Sequence, residues 1–320
     1  MKLRMSRQTF PFFATVAVCL LLYLIAGFAF PGFFSPRVFI NFLSDNAFLG
    51  ITAVGLTFVI LSGGIDLSVG AVIGCSSILI ASLVQKTHLG PVPAIAAVLF
   101  LGTLLGAGMG SLIHCFNLPP FLVTLSGLFF CRGIGLVIST ESIAIADPLY
   151  VTLSSLALPL GGGLMLPLPA IIFLAVLAIA IHVSLHTPFG RHACAIGGNE
   201  QSALLMGLPV GGTKVGIYAL SGFCSSLAGV VYTIYTSSGN AIAATSLELD
   251  AIAAVVVGGT LLSGGVGYVA GTLVGVLIFG IIQTAITFQG TLSSWWTKIA
   301  VGVLLLVFIL LQRLIQKKGT

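Results

Sequence analysis

Charge is the scarcest thing in this sequence. Asp, Glu, Lys and Arg together make up 6% of its 320 residues, against about 25% in a soluble domain. So few polar groups cannot hydrate the surface of a water-soluble globule, and that class is excluded. Cysteine is sparse too: Cys19, Cys75, Cys115, Cys131, Cys194 and Cys224 form no C-x-x-C pair. Most lie in apolar runs, where a free thiol behaves as a small hydrophobe, so neither a disulfide framework nor a metal site is expected. The chain lacks a Gly-Lys dipeptide, and with it the G-x-x-x-x-G-K-S/T cradle for nucleotide phosphates. Its net charge of +5 comes from positives scattered at segment ends, without interleaved aromatics, which excludes a nucleic-acid partner.

What is present is apolar. Hydrophobic residues make up 58% of the chain, and 40 glycines accompany them. Membrane helices use glycine to bring backbones close. Apolar stretches recur over 12–30, 46–62, 71–85, 94–114, 122–139, 169–186, 215–236, 251–265, 268–289 and 296–312. The fold class expected is therefore all-α: a single membrane domain over 1–320, with about ten transmembrane helices. Segments 71–85 and 251–265 are near the lower limit for crossing ~30 Å of hydrocarbon and are candidates for broken or re-entrant spans.

Lys2, Arg4 and Arg7 precede the first apolar run, from Phe12 to Phe30. That run exceeds the ~7–15 residues of a signal-peptide core, so it reads as an uncleaved helix starting in the cytoplasm. Ten crossings then place Lys2, Arg4, Arg7, Arg191, Lys214, Arg313, Lys317 and Lys318 inside and only Arg37, Lys86 and Lys298 outside. The positive-inside rule favours this orientation, with both termini cytoplasmic. The outer loop 140–168 carries Asp147-Pro148 and Gly161-Gly162-Gly163. The cytoplasmic loop 187–214 is the most polar stretch of the chain. In it Thr187-Pro188 ends a helix, Gly197-Gly198-Asn199 makes a turn, and Glu200 to Met206 reads as a short helix closed by Gly207 and Pro209.

Several residues stand out against this background. Residues 61–74 (LSGGIDLSVGAVIG) align with 262–275 (LSGGVGYVAGTLVG), each at an expected cytoplasmic turn. Asp66, inside GGIDLSVG, is a carboxylate in an apolar setting and needs a structural or functional reason. It reads as a cap for the helix beginning near Leu67, with Ser68 as its partner, or as part of a gate. Arg132 lies within a span. It reads as a pore-lining donor for solute hydroxyls or as half of a structural pair with an acid from another helix. Asn46 stands at a helix end. Glu248 and Asp250 precede segment 251–265, facing an arriving solute or sitting in a first helical turn favoured by the dipole. Trp295-Trp296 reads as an interface anchor. His182, His186 and His192 read as a membrane-edge group more than a metal site. The GxxxG pairs Gly102/Gly106 and Gly271/Gly275 read as helix packing.

GGIDLSVG, followed by TPFGR (187–191), AIGGNE (195–200) and SALLMG (202–207), resembles the permeases of ribose-type ATP-binding-cassette sugar importers. The segments NAFLGITAVG (46–55), LELDAIAA (247–254) and GTLSSWWTK (290–298) narrow the likeness to the second permeases of bacterial galactofuranose importers. The resemblance implies a multi-pass subunit of the bacterial inner membrane that forms half of a sugar path. Its partners would be a periplasmic sugar-binding protein, a cytoplasmic ABC ATPase holding the ATP and Mg, and a second permease, paralogue or copy. This chain would then be no enzyme, with no catalytic residue and no cofactor of its own. The resemblance further implies that loop 187–214 couples to the ATPase through Gly190, Arg191, Gly198, Asn199, Glu200 and Ala203. Gate or translocation candidates are Asn46, Asp66, Ser68, Arg132, Glu248 and Asp250. Two rival classes stay open: an ion-coupled secondary transporter, which needs a midplane carboxylate or histidine network, and an amino-acid importer permease of the same superfamily.

Overall fold

A computed structural model describes residues 10–87, 89–293 and 295–317. Lys2, Arg4, Arg7 and Lys318, four of the charges behind the expected orientation, lie outside the described residues, as do the side chains of Arg313 and Lys317.

The chain is mainly helical. Its elements are α1 (Phe10–Ala29), α2 (Pro36–Asp45), α3 (Ala47–Leu61), α4 (Val69–Lys86), α5 (Pro91–Cys115), α6 (Pro120–Ile138), β1 (Ile143–Ala144), α7 (Pro148–Ser155), β2 (Ala157–Gly161), β3 (Leu164–Pro167), α8 (Leu168–His186), α9 (Pro188–Gly198), α10 (Glu200–Leu205), α11 (Val210–Thr236), β4 (Ser238–Gly239), α12 (Leu247–Val257), α13 (Val269–Gln289) and α14 (Trp295–Lys317). Among the described residues seven helices are long and apolar enough to cross a membrane: α1, α4, α5, α6, α8, α11 and α13. The pair α2–α3, bent by 57°, makes an eighth if taken as one span. Helix α14 is apolar over Trp295–Leu310.

Two short segments end differently from one another. Segment 71–85 becomes α4, 18 residues long. Segment 251–265 does not become a crossing helix. Helix α12 spans 11 residues, about 16 Å at 1.5 Å per residue, half the hydrocarbon thickness. It stops at the Gly258-Gly259 pair, and Gly259, Gly264 and Gly265 all have positive φ. Hydropathy cannot see this break, because glycine is apolar yet ends helices.

Helix α3 forms the centre: every residue in it except Phe48 is buried, and α11, α12, α8 and α13 pack around it. The GxxxG glycines pack helices as expected. A Cβ on Gly106 would stand 2.1 Å from the Tyr218 carbonyl oxygen, and one on Gly222 2.2 Å from that of Gly102, so α5 and α11 touch backbone to backbone. Gly271 and Gly275 bring α13 equally close to Gly258 and Ala254 of α12.

The loop 140–168 is more structured than its composition implies. Asp147 caps α7 by accepting the Leu149 N–H at 2.8 Å. Strands β2 and β3 form an antiparallel hairpin turned by Gly161, Gly162 and Gly163, all at positive φ. Strand β1 pairs with β4, fastening this end of the bundle to the chain after α11.

Candidate functional site

Three constellations contain most of the residues singled out in the sequence.

The first is the α9–α10 bracket. Where a single helix at 200–206 is expected, the structure has two, because Thr187-Pro188 both ends α8 and begins α9. Pro188 occupies the first turn, where a missing N–H costs nothing. Gly190, Ala193 and Ile196 form the buried face of α9. Gly190 leaves no room for a side chain, since a Cβ would meet the Ser184 carbonyl oxygen at 2.3 Å. Asn199 caps α10, its Oδ1 accepting the Ser202 N–H at 2.7 Å. Lys214 of α11 donates to Glu200 Oε1 at 2.6 Å. Ala203 packs with Ile196 and Val210 in a small core of its own. Arg191 and Gly198 are exposed. The tip carries an apolar group that sequence reasoning passed over: Leu205 is 91% exposed, and Leu204 and Met206 stand beside it. Their signal was an apolar triplet inside an otherwise polar loop.

The bracket sits on the two LSGG turns. The Gly265 N–H donates to the Leu61 carbonyl at 2.9 Å, joining the turn after α3 to the turn after α12. Gly197 presses against both: a Cβ there would stand 1.9 Å from Leu61 O and 2.6 Å from Gly265 N. Gly63 and Gly264 hold positive φ, 80° and 83°, and lie against one another. The internal similarity is therefore spatial as well as sequential: the two copies meet.

The second constellation surrounds Asp66. From Gly63 the chain climbs back into the bundle, and α4 begins only at Val69. Asp66 is fully buried. Its Oδ1 accepts from the Ser68 N–H at 2.9 Å and the Ser68 hydroxyl at 2.6 Å. Its Oδ2 accepts from the Ser221 hydroxyl of α11 at 2.7 Å. Ser221 is eleven residues into α11, about 16 Å from its start. The carboxylate thus lies deep in the bundle, and among the described residues it bonds hydroxyls and an amide but no cation. It closes a turn ahead of α4, as a cap does, and also ties that turn to α11.

The third lies between α4, α6 and the approach to α12. Residues 240–246 run as irregular backbone, and the stretch from Gly239 to Glu248 follows a strip of small α4 residues. Gly239 lies at Ser77 and Ala81, Ala241 at Gly74, and Ala244 with Glu248 at Gly70. Non-helical chain at such depth needs internal hydrogen bonds. Ser77 provides two, accepting the Asn240 N–H and donating to the Asn240 carbonyl, both at 3.1 Å. Arg132 provides two more, donating from Nη1 to the carbonyls of Ala241 at 2.6 Å and Ala243 at 3.0 Å. Ala244 and Ser246, at φ 55° and 65°, are held in the left-handed region immediately beyond. Glu248 Oε2 faces Gly70 and has no hydrogen-bond partner among the described residues.

Asn46 and Asp250 belong elsewhere. They line a cavity of about 630 Å³ between the α2–α3 bend, α12, the end of α13 and the start of α14. Asp45, Gln283, Thr287 and Lys298 add polar groups, while Phe48, Phe279 and Trp295 add aromatic ones. Asp250 pairs with Lys298, Tyr235 donates to Asp45 at 3.0 Å, and the Asn46 amide donates to the Phe42 carbonyl at 3.1 Å. Trp295, expected as a membrane anchor, is part of this wall. The six gate candidates therefore fall in three separate places: Asn46 with Asp250, Asp66 with Ser68, and Arg132 with Glu248. His182 and His186 stack at 4.9 Å on α8.

Comparison with known proteins gives a consistent picture. The family model described as "Branched-chain amino acid transport system / permease component" matches residues 38–309. The chain is 53% identical to the inner membrane ABC transporter permease protein YjfF of Escherichia coli, over 97% of this chain and 93% of that protein. It is 41% identical to the ribose import permease RbsC of Bacillus subtilis, over 92% and 90% respectively. It is 36% identical to the fructose import permease FruG of Bifidobacterium longum, over 99% and 94%. No solved structure matches.

Proposed function

We propose, starting from the fact that the chain belongs to the ribose-type sugar permeases of ABC importers, that it is one membrane half of a binding-protein-dependent importer driven by a separate ATPase. It is a multi-pass membrane protein, and in this reading about ten segments traverse or enter the inner membrane with both termini in the cytoplasm. A periplasmic sugar-binding protein delivers the solute to the cavity around Asn46, Asp250 and Gln283. A second permease, paralogue or copy, completes the path. The ATPase binds ATP with Mg and hydrolyses the ATP, so in this reading this chain carries no cofactor and no catalytic residue.

The observation that carries the reading is the construction of the α9–α10 bracket. It offers an exposed apolar tip at Leu205 and an exposed Arg191, a surface suited to a cleft in another protein. It is also seated through Gly197 on both LSGG turns. A push on the tip is passed to the ends of α3 and α12 through backbone contacts with no flexible side chain between them. That is what a separate motor needs in order to switch the path between outward and inward access.

Galactofuranose, or a related monosaccharide, is the proposed solute, on the likeness of segments 46–55, 247–254 and 290–298. A neutral polyol suits the outer cavity, whose lining combines amide, hydroxyl and carboxylate groups with aromatic faces. The rival classes fare less well. An ion-coupled carrier needs a midplane titratable network, whereas Asp66 is enclosed by serine hydroxyls.

The test is uptake by proteoliposomes holding this chain, its sister permease, the ATPase and the binding protein. Tritiated galactose, which includes the furanose form in solution, is expected to accumulate only with internal ATP. Accumulation on an ion gradient without ATP would overturn the reading, and ATP-driven uptake of leucine in place of sugar would reassign the solute class.

A further inference from the structure

One face of α11 carries three groups that neither the family likeness nor the motifs single out. Lys214, Tyr218 and Ser221 follow at i, i+4 and i+7, so they line one side of the helix. Each meets a different layer. Lys214 holds Glu200 of α10 at 2.6 Å. Tyr218 stands over the Gly64 backbone, where a Cβ would lie 2.4 Å from its hydroxyl. Ser221 holds Asp66 at 2.7 Å. Beside them a polar cavity of about 310 Å³ is bounded by Ser62, Gly63, Asn117, Glu200, Lys214 and Tyr218.

We propose that this face is a relay: the Glu200–Lys214 ion pair fixes α10 to α11, and Ser221 fixes α11 to the buried Asp66 turn, so that movement of α10 is converted into movement of the Gly63–Ser68 segment. The inference rests on the reading of α10 as the ATPase contact and adds the residues that carry its displacement inward. Three features support it. The ion pair is the sole one that joins α10 to another element among the described residues. Asp66 makes one bond outside its own turn, and that bond goes to α11. The cavity flanking Lys214 and Tyr218 gives the Ser62–Gly64 turn room to move. A carboxylate deep in the bundle cannot lose a hydrogen-bond donor without finding another, so Ser221 and the Asp66 turn must travel together or exchange partners in one step.

The experiment uses the assembled importer in proteoliposomes and reads galactose moved per ATP hydrolysed, a ratio that simple loss of folded protein leaves unaltered. Ser221→Ala is expected to lower the ratio about tenfold, the scale of one hydrogen bond to a charged group. Ser221→Cys, nearly the same volume with a weaker donor, is expected to fall between the two and serves if the alanine variant fails to accumulate. Glu200→Lys is expected to lower the ratio, and Glu200→Lys with Lys214→Glu to restore it. Ser221→Cys combined with Glu200→Lys is expected to be no worse than the more damaging of its members, because a relay cut twice is still one cut. Unchanged ratios in the Ser221 variants, or multiplicative losses in the double variant, would overturn the relay while leaving the importer reading intact. An unmodified importer that needs no ATP would instead remove the premise.

Discussion

Replacing Gly197 with alanine is the sharpest perturbation available. The new methyl carbon would sit 1.9 Å from the Leu61 carbonyl oxygen, about 1.4 Å inside the ~3.3 Å at which carbon and oxygen normally meet. Leu61 O cannot retreat freely, because it accepts the Gly265 N–H at 2.9 Å. Nor can the methyl turn aside, with Gly265 N 2.6 Å away. Relief requires α9 to lift off the two turns or the turns to part. Overpacking of this kind costs about 1–3 kcal/mol. Losing the buried backbone bond adds about 1–3 kcal/mol more. Gly198→Ala is the control: it lies one residue on, at the same helix end, and its Cβ would meet nothing within 4 Å. Its expected cost is within about 0.5 kcal/mol. Thermal unfolding of the two purified variants in detergent checks this, with Gly197→Ala melting several degrees below both the unmodified protein and Gly198→Ala. Equal melting temperatures for the two variants would refute the seat described for α9.

Two further outcomes are expected. Arg132→Met removes the donor shared by the Ala241 and Ala243 carbonyls and should cost about 1–3 kcal/mol; faster proteolysis within 240–246 than in the unmodified protein would register it. Gly106→Ala drives a methyl to 2.1 Å from the Tyr218 carbonyl and should lower the melting temperature well below that of Gly108→Ala, whose Cβ meets open space.

The long helices were legible because a membrane helix must be a continuous apolar run, and α1, α4, α5, α6, α8, α11 and α13 all fall on such runs. Which of them face lipid was not. Helices α1 and α3 have equally apolar sequences, yet much of α1 is exposed while α3 is buried almost throughout. Polarity cannot distinguish the two when the surroundings are as apolar as the core. The end of α12 was missed for a related reason: residues 258–267 carry no charge and stay apolar on balance while losing the helix. The bracket was legible as a place, from its polarity, its Pro and its Gly pair. Its working contacts were not. The sequence singles out Gly198, whereas the close approach is made at Gly197, and only the neighbouring backbone tells them apart. The depth of Asp66 was half legible. An isolated carboxylate signals a special site, but its bond to Ser221 joins positions 155 residues apart, and no local pattern encodes that. One signal for the irregular segment 240–246 was available, the run Gly70, Gly74, Ser77 and Ala81 at helical spacing, a groove of small residues awaiting another stretch of chain.

The joint between Leu61 and Gly265 also bears on how the protein is made. The walls of the α9 seat are 204 residues apart in the chain, with α9 itself lying between them. During N-to-C synthesis α3 and its turn are laid down first, α9 later, and the closing wall only when the chain has passed Gly265. Until then the bracket has one wall of its seat, held besides by the packing of α9 on α8 and by the Glu200–Lys214 pair. In the proposed importer, the surface offered to the ATPase would therefore gain both walls of its seat only after most of the chain has been made.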